Sequence, residues 1–205
     1  MIKNYWDNFY KNKKPPLNES SFARFVLKKT KNYNLKMFDI GCGNGRDTIY
    51  FNEKNIDCDG IDKSKKAIGK NKKKYPKFSR KFVNKDFCTI FRKKYKSSFI
   101  VYSRFTWHSI NYPQEKRLIA SLKKNKQFKY IFIEARTIKD NIYGKGKKVG
   151  KHEFTSTHYR RFIDPKILLK ELSNFMKIIY FKEGKNLAKY KKENPWVLRV
   201  IAKVK

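Results

Sequence analysis

Residues 37–51, with the sequence MFDIGCGNGRDTIYF, constrain the fold of this chain more than any other stretch. An apolar run ends in Asp39, and glycines follow at positions 41, 43 and 45. In a parallel α/β sheet, ligands bind beyond the carboxyl ends of the strands, and glycine there lets the backbone turn tightly and approach a ligand without a Cβ in the way. The stretch therefore predicts a strand, a ligand-binding loop and a helix in succession.

The rest of the chain alternates between short apolar runs and amphipathic segments. We predict strands at 36–40, 56–61, about 80–84, 98–102, 128–135, 176–182 and 196–204. We predict helices at 20–31, capped by Ser20 or Ser21, at 45–54, 64–75 and 113–125, and from Pro165 onward, capped by Asp164. This alternation is typical of an α/β fold, a Rossmann-like seven-stranded mostly parallel sheet with helices on both faces. Because only a short polar loop joins the last two strands, the last strand is predicted to be antiparallel.

Composition limits the class of protein. With 40% hydrophobic and 16% aromatic residues, the 205-residue chain should fold, and we expect a single domain. It has no run of about 18 apolar residues and no N-terminal secretory signal, so we expect neither membrane association nor export. Its cysteines, Cys42, Cys58 and Cys88, lack metal-ligand spacing, so we expect free thiols in the cytoplasm and no metal site.

The formal net charge of +35 raises the possibility of nucleic-acid binding. Only 10 of the 52 basic residues are arginines, however, and the lysines are scattered along the whole chain. Scattered lysines are typical of solvated helix faces and of the composition that an AT-rich genome imposes. Nucleic acid is therefore a possible partner, but the charge does not favour it over a small molecule.

Acidic residues at successive strand ends narrow the choice of ligand. Asp39 would repel a phosphate and suits an ammonium group, and the third glycine comes one residue too early for the G-x-G-x-x-G dinucleotide loop. Asp62 ends the next predicted strand, from where an acid accepts hydrogen bonds from ribose hydroxyls. Asp86 follows the third strand, where it could bind an adenine amine while Phe87 covers the ring. S-adenosylmethionine, which combines a ribose with a cationic amino-acid end, fits this pattern.

Four successive segments resemble the motifs of the class I S-adenosylmethionine-dependent methyltransferases. They are FDIGCGNGRDTIYF, GIDKSKKAI, NKDF and FIVYSRFTWHSI, all within residues 36–135. Within that class the chain resembles small-molecule enzymes of the tellurite and thiopurine type. The segments YWDNFY, IEARTIKDNIYGKG and HEFTSTHYRRFID are similar to bacterial methyltransferases encoded with surface-polysaccharide genes. The resemblance implies S-adenosylmethionine as the cofactor and one methyltransferase domain over residues 1–205.

We divide the predicted domain into four parts. They are an N-terminal helical lid at 1–31, a cofactor-binding core at 36–135, an acceptor-side loop at 136–165, and a C-terminal helix and strand pair at 166–205. In the lid, Tyr5, Trp6, Phe9 and Tyr10 are spaced so that they form one helical surface, which either covers the cofactor cleft or only caps the core. Within the acceptor-side part, residues 143–153 are rich in Gly and Lys and are predicted to form a flexible loop.

The resemblance also implies which residues bind the cofactor. Gly41, Cys42 and Gly43, which we call the glycine loop, would line its methionine end. Asp62 and Lys63 would hold the ribose, and Asp86 and Phe87 would hold the adenine. Ser103, after the fourth strand, would lie beside the transferred methyl group. The full predicted set is Trp6, Asp39, Gly41, Cys42, Gly43, Arg46, Asp62, Lys63, Asp86, Phe87 and Ser103.

Residues after the fourth and fifth strands are candidates for the acceptor side. A hydroxyl acceptor needs a general base, so His108, His152, His158 and Glu134 are the catalytic candidates, although each could instead be structural. Arginines cluster here in a chain that otherwise uses lysine, and guanidinium binds phosphate or carboxylate through two parallel hydrogen bonds. The predicted acceptor-binding residues are Arg104, Arg136, Tyr159, Arg160 and Arg161. They indicate a small anionic acceptor, unless the arginines only pair with nearby acids or face water. Oxygen is favoured over nitrogen as the atom that is methylated.

Two other functions are compatible with the sequence. An RNA- or DNA-directed methyltransferase is supported by the charge and the aromatic residues. Against it, YSRF at 102–105 stands where amino-directed base methyltransferases carry Asn-Pro-Pro-Tyr or Asp-Pro-Pro-Tyr. A cofactor-binding module without activity would leave the polar cluster at 104–161 without a purpose. The leading prediction is thus a small-molecule methyltransferase, and no oligomeric state is predicted.

Overall fold

A seven-stranded sheet forms the centre of the structure, a computed structural model that describes residues 5–13 and 15–205. The strands are β1 (Lys36–Ile40), β2 (Cys58–Asp62), β3 (Phe82–Asn84), β4 (Phe99–Arg104), β5 (Phe128–Arg136), β6 (Lys147–Gly150), β7 (Glu153–Thr155), β8 (Tyr159–Arg161), β9 (Met176–Gly184) and β10 (Val197–Val204). The main sheet has the order β3-β2-β1-β4-β5-β10-β9. In this sheet β10 runs in the direction opposite to the other six strands, and the predicted fold class is confirmed.

Helices connect the strands and cover both faces of the sheet. They are α1 (Tyr5–Asn12), α2 (Ser21–Thr30), α3 (Arg46–Glu53), α4 (Lys65–Lys74), α5 (Phe87–Ile90), α6 (Tyr112–Lys123) and α7 (Pro165–Ser173), with short 3-10 helices at Pro76–Lys81 and Trp107–Ser109. Ser20 caps α2 by accepting a hydrogen bond from the Ala23 amide at 3.0 Å. Asp164 caps α7 in the same way through the Lys166 amide, as predicted. No helix in the described ranges is both long and apolar enough to cross a membrane.

The central strands are buried on both faces. In β1, Phe38 and Ile40 belong to one apolar cluster, and Met37 belongs to a second cluster on the opposite face. In β4, Val101 and Tyr102 divide between the same two clusters. Because helices cover both faces of the sheet, the side chains on both faces of these strands are buried and almost all are apolar. This packing holds the carboxyl ends of the strands in fixed positions.

A second, smaller antiparallel sheet of order β6-β7-β8 lies between β5 and α7 in the chain. The prediction of a flexible loop at 143–153 is therefore wrong for β6 and for the start of β7. Strands of three or four residues with lysine and glycine show no clear alternation, so the pattern hid them. Aromatic contacts stabilise this sheet. The ring centre of Tyr143 lies 5.2 Å from the ring centre of Phe154 and 5.4 Å from that of Phe162.

Candidate active site

A cleft of about 500 Å³ opens beyond the carboxyl ends of β1, β2, β4 and β5. β1 lies between β2 and β4, so the chain leaves the centre of the sheet in opposite directions and a crevice forms at this switch point. The loop after β1 forms its floor, and the segments after β2, β3 and β4, the end of β5, strand β8 and helix α1 contribute its walls.

The glycine loop needs glycine for two different reasons. Gly41 and Gly43 have φ values of 70° and 54°, in the left-handed region that favours glycine. A Cβ at Gly41 would collide with the side chain of Thr106, whose hydroxyl donates to the Ile40 carbonyl at 2.8 Å. A Cβ at Gly43 would collide with the hydroxyl of Tyr10. The loop is therefore packed closely by the segment after β4 and by α1.

Asp62, at the end of β2, holds the glycine loop in place. Its carboxylate accepts hydrogen bonds from the amide of Gly43 at 2.9 Å and from the amide of Ser64 at 2.8 Å. Burial raises the pKa of Asp62, and the two backbone amides act in the opposite direction. Each carboxylate oxygen has two lone pairs, so both oxygens can accept a further hydrogen bond from a ligand.

Asp39 is a buried carboxyl group beside the same loop, with an exposed fraction of only 3%. It accepts a hydrogen bond from the Thr48 hydroxyl at 2.7 Å. Burial, followed by the nearby carboxylates of Asp47 and Asp62, raises the pKa of Asp39 to about 8. A cationic ligand in the cleft would favour the ionised form of this group.

Ten of the eleven predicted cofactor residues line the cleft. They are Trp6, Asp39, Gly41, Cys42, Gly43, Arg46, Asp62, Lys63, Asp86 and Phe87. Ser103 is fully buried and does not line it. Asp86 accepts from the Cys88 amide at 2.9 Å, which caps α5, and lies 3.5 Å from the Lys63 ammonium group. The structure thus brings this set together, while the individual roles remain predictions.

Helix α1 lies over the cleft, and its aromatic side chains Tyr5, Trp6, Phe9 and Tyr10 all line it. Asp7 attaches the helix to the start of α4, where it accepts from the Ser64 hydroxyl at 2.6 Å and the Lys66 amide at 3.1 Å. Tyr5 stacks on His158 of the opposite wall with ring centres 4.7 Å apart. These contacts fit the predicted lid, of which residues 1–4 and 14 lie outside the described residues.

Three arginines line the part of the cleft next to the ends of β4 and β5 and strand β8, which we call the acceptor end. They differ in how their charge is compensated. Arg104 donates to Glu134 at 3.0 Å. Arg136 pairs with Asp140 and with Glu193, both at 3.0 Å. Among residues 5–13 and 15–205, Arg160 has no carboxylate within 4.0 Å, and its buried Nε has no hydrogen-bond partner. Arg160 therefore supplies a guanidinium whose charge nothing described in the protein neutralises at close range.

Two of the three candidate histidines reach the cleft. The Nδ1 atom of His108 is buried, and the described part of the chain offers it no hydrogen-bond partner. Burial, and then the positive charges of Arg160 and Arg136, lower the pKa of His108 well below its usual range. His158 lies 2.8 Å from an Nη atom of Arg160 and 3.1 Å from the Thr157 hydroxyl, so both of its ring nitrogens have partners. Burial and the same arginines lower the pKa of His158 to about 4.

The structure places four other candidates away from the cleft. Glu134 is fully buried, where it pairs with Arg104 and accepts from Arg199 at 2.7 Å. His152 lies on the small sheet, 2.8 Å from the Tyr143 hydroxyl. Tyr159 and Arg161 lie on β8 without lining the cleft, and Arg161 is buried against Glu115. Glu134 thus forms the ion pairs that the sequence left open as the alternative to a role at the site, whereas Arg161 pairs with Glu115, 46 residues away, and not with the nearby Asp164.

Several cleft residues were not predicted. Asp47 accepts from the Ser20 hydroxyl and the Tyr102 hydroxyl, both at 2.7 Å, although its position in the first turn of α3 suggests only an ordinary helix start. Phe105 has a φ of 54°, which is rare for a bulky residue, and its ring centre lies 4.3 Å from the Arg104 guanidinium. The loop between β9 and β10 adds Ala188, Tyr190, Glu193 and Pro195. No local pattern signals these positions, because their place depends on the folded loops.

Comparisons with known proteins agree with this geometry. Residues 37–125, somewhat less than half of the chain, match the model of a family described as a methyltransferase domain. No curated protein matches the sequence significantly. Among solved structures, a methyltransferase from Methanosarcina mazei is 16% identical, with a TM-score of 0.72 over 87% of this chain and 96% of that one. One from Anabaena variabilis is 17% identical, with a TM-score of 0.68 over 98% and 93%.

A glycopeptide N-methyltransferase in complex with S-adenosylhomocysteine is also similar. It is 15% identical, with a TM-score of 0.67 over 92% of this chain and 90% of that chain. At such low sequence identities the structural similarity establishes only the fold. The sequence match over residues 37–125 is the evidence for a methyltransferase domain. Residues 37–125 thus match a methyltransferase domain, and the chain as a whole has the fold of solved S-adenosylmethionine-dependent methyltransferases, with a cleft at the glycine loop.

Proposed function

We propose that this methyltransferase modifies a small anionic acceptor, with a phosphate or carboxylate group, on a hydroxyl oxygen. The observation that carries the proposal is the pair of unsatisfied groups at the acceptor end. Arg160 offers a guanidinium without a carboxylate partner, and His108 a buried ring nitrogen without a hydrogen-bond partner, within the described residues. A buried polar atom without a partner is costly, so both groups are suited to a bound ligand.

Four further roles follow for the cofactor end. Asp62 accepts hydrogen bonds from the ribose hydroxyls with the lone pairs left free by Gly43 and Ser64. Asp39 faces the ammonium end, and Asp86 and Phe87 bind the adenine. When bound, S-adenosylmethionine supplies a sulfonium-activated methyl group, so the protein contributes mainly by holding the acceptor in line with it.

His108 is the general base in this proposal. In the free protein burial, and then the guanidinium groups of Arg160 and Arg136, lower the pKa of His108 and keep it neutral, which leaves a nitrogen able to accept a proton. An anionic acceptor would neutralise those charges and so raise the pKa of His108. The base thus becomes stronger when the correct acceptor is in place.

His158 is less suited to the role of base. A guanidinium can only donate, so the His158 nitrogen that faces Arg160 must accept, and the other nitrogen carries the proton. In this arrangement His158 orients Arg160 from one side while Tyr5 stacks on its ring. Its role is to hold the anion-binding guanidinium.

The similarity to small-molecule enzymes of the tellurite and thiopurine type, and to methyltransferases of surface-polysaccharide clusters, supports a small acceptor. Phosphorylated sugars and small carboxylates should therefore be screened against neutral analogues and RNA, with formation of S-adenosylhomocysteine as the readout. Once an acceptor is found, Arg160→Met should raise its KM with little change in kcat, because a uniform binding contact is lost. Lys139→Met, at an exposed ion pair with Glu183, is the matched control. Methylation of neutral compounds or RNA alone would contradict the anionic acceptor.

A further inference from the structure

Strand β8 directs two consecutive arginines to opposite sides. Arg160 lines the cleft, whereas the side chain of Arg161 lies behind the strand and the residue is only 7% exposed. Side chains alternate along a strand, so neighbours cannot share one face. The two residues therefore have different roles, although both were predicted to bind the acceptor.

Arg161 connects β8 to the segment that carries His108. Its Nε donates to the carbonyl of Ile110 at 3.0 Å, and an Nη atom lies 3.5 Å from the carbonyl of Trp107. The same guanidinium forms a buried ion pair with Glu115 in the first turn of α6. A three-residue 3-10 helix, here Trp107–Ser109, leaves carbonyls without helical partners, and Arg161 satisfies two of the carbonyls in this region.

Other contacts fix the segment but do not join it to β8. Thr106 binds the Ile40 carbonyl at one end, and Asn111 and Gln114 form a reciprocal capping box at the other. Within the described chain, the contact with Glu115, Trp107 and Ile110 is thus the polar link between the two walls of the acceptor end.

A buried ion pair is a poor source of net stability, because desolvation of the two charges offsets much of their attraction. An apolar pair of similar volume could fill the same space. What an apolar pair cannot do is donate from one rigid fork to the carbonyls of Trp107 and Ile110 and to Glu115 together. The geometry, more than the energy, explains an arginine at this position.

We propose that Arg161 is a positioning residue for the acceptor end. By holding residues 107–110 against β8, it sets the distance between His108 on one wall and Arg160 on the other. This proposal rests on the proposed function of His108 and Arg160 and adds that their spacing depends on a residue outside the cleft.

The test replaces the ion pair without leaving a buried charge. The double variant Arg161→Met with Glu115→Leu should fold with a melting temperature close to that of the wild-type protein. The chain has three histidines, so each imidazole signal can be assigned by NMR with the variants His152→Gln and His158→Gln. We expect the His108 signal to shift or broaden in the double variant, and to remain unchanged in Arg24→Met, which loses only an exposed ion pair with Glu19.

Inorganic phosphate separates this proposal from the proposed function. In the wild-type protein it should shift the signals of both His108 and His158, and in the double variant this joint response should be lost. If phosphate shifts neither signal in the wild-type protein, the anionic acceptor is contradicted. The positioning role of Arg161 is still tested in that case, by comparing the His108 signal of the wild-type protein with that of the double variant in the absence of phosphate.

With a known acceptor, the kcat of the double variant should be roughly tenfold to a hundredfold lower than that of the wild-type protein, because a displacement of a catalytic group by about 1 Å can cost this much. Its affinity for the cofactor should be unchanged. A folded double variant with an unchanged His108 signal overturns the proposal. Should the double variant fail to fold, Arg161→Lys decides the question, because lysine keeps the charge near Glu115 but cannot reach both carbonyls. A wild-type His108 signal in that variant would also overturn the proposal.

Discussion

The substitution Asp39→Asn should stabilise the cofactor-free protein and weaken its cofactor binding. Asp39 is buried beside the glycine loop and receives one hydrogen bond from a side chain, that of Thr48. Burial, and then Asp47 and Asp62, raise the pKa of Asp39 to about 8 from the 3.8 of an exposed carboxyl. Asparagine keeps the shape and the acceptor for Thr48 but carries no charge at any pH.

The size of the effect follows from the difference in proton binding. Above about pH 4 the unfolded chain releases the Asp39 proton, whereas the folded protein keeps it until about pH 8. The free energy of unfolding therefore falls as the pH rises through this window, by about 1.4 kcal/mol per unit. The upper limit of the loss at pH 7 is about 4 kcal/mol, and because water enters the open cleft we expect about half of it.

Urea unfolding of both proteins at pH 5 and pH 8 measures this difference. At pH 5 the wild-type protein and Asp39→Asn should be similar in stability, and at pH 8 the variant should be more stable. Asp57→Asn is a control of opposite sign. Burial alone would raise the pKa of Asp57, but its ion pairs with Lys81 and Lys36 lower it overall, so its ionised form stabilises the fold.

Calorimetry tests the functional half of the prediction. A cationic cofactor favours ionised Asp39, so binding near pH 7 should release a proton, which calorimetry detects as a dependence of the binding enthalpy on the buffer. Asp39→Asn should bind S-adenosylmethionine more weakly and without proton release. If the stability difference between the two proteins is the same at pH 5 and pH 8, the reasoning about Asp39 is refuted.

Three further variants test other parts of the site. Asp62→Ala should weaken S-adenosylmethionine binding by about 2–3 kcal/mol in calorimetry, because ribose hydroxyls lose a charged acceptor, and unchanged affinity would remove Asp62 from the site. Glu134→Gln should lower the free energy of unfolding by about 3–5 kcal/mol in urea, because Arg104 and Arg199 are left without a buried counter-charge; normal stability with lost activity would instead indicate a base. Asp7→Ala should weaken S-adenosylhomocysteine binding about tenfold with little change in melting temperature, because α1 contains no fully buried residue, and equal affinity would contradict the lid.

The parts of the fold that were predicted correctly depend on local sequence. The strand before the glycine loop is a short apolar run, and its helix starts directly after Gly45, so a few adjacent residues determine both. The caps at Ser20 and Asp164 are equally local, because an N-cap binds an amide two or three residues away. Alternation of such units then leads to one sheet order, which the structure confirms.

The partners of the charged residues could not be predicted in this way. Arg104 and Glu134 are 30 residues apart, and Glu134 also binds Arg199, 65 residues away. Whether a carboxylate at a strand end faces a ligand or two guanidinium groups depends on which strands become neighbours and in which register. In this sheet Arg104 is paired with Glu134 across β4 and β5, and Glu134 with Arg199 across β5 and β10. The register therefore places a guanidinium on either side of the carboxylate.

The different roles of Arg160 and Arg161 show how one missed element affects the prediction of a site. With residues 143–153 taken as a flexible loop, the segment that follows offers no reason to separate two adjacent arginines, and both were assigned to the acceptor. Once Tyr159–Arg161 is a strand, alternation requires that only one of the two faces the cleft. The contacts then distinguish them, because Arg161 satisfies carbonyls and Glu115 whereas Arg160 has no carboxylate within 4.0 Å in the described chain. A charge cluster in a sequence therefore indicates an anion site only to the extent that the secondary structure beneath it is known.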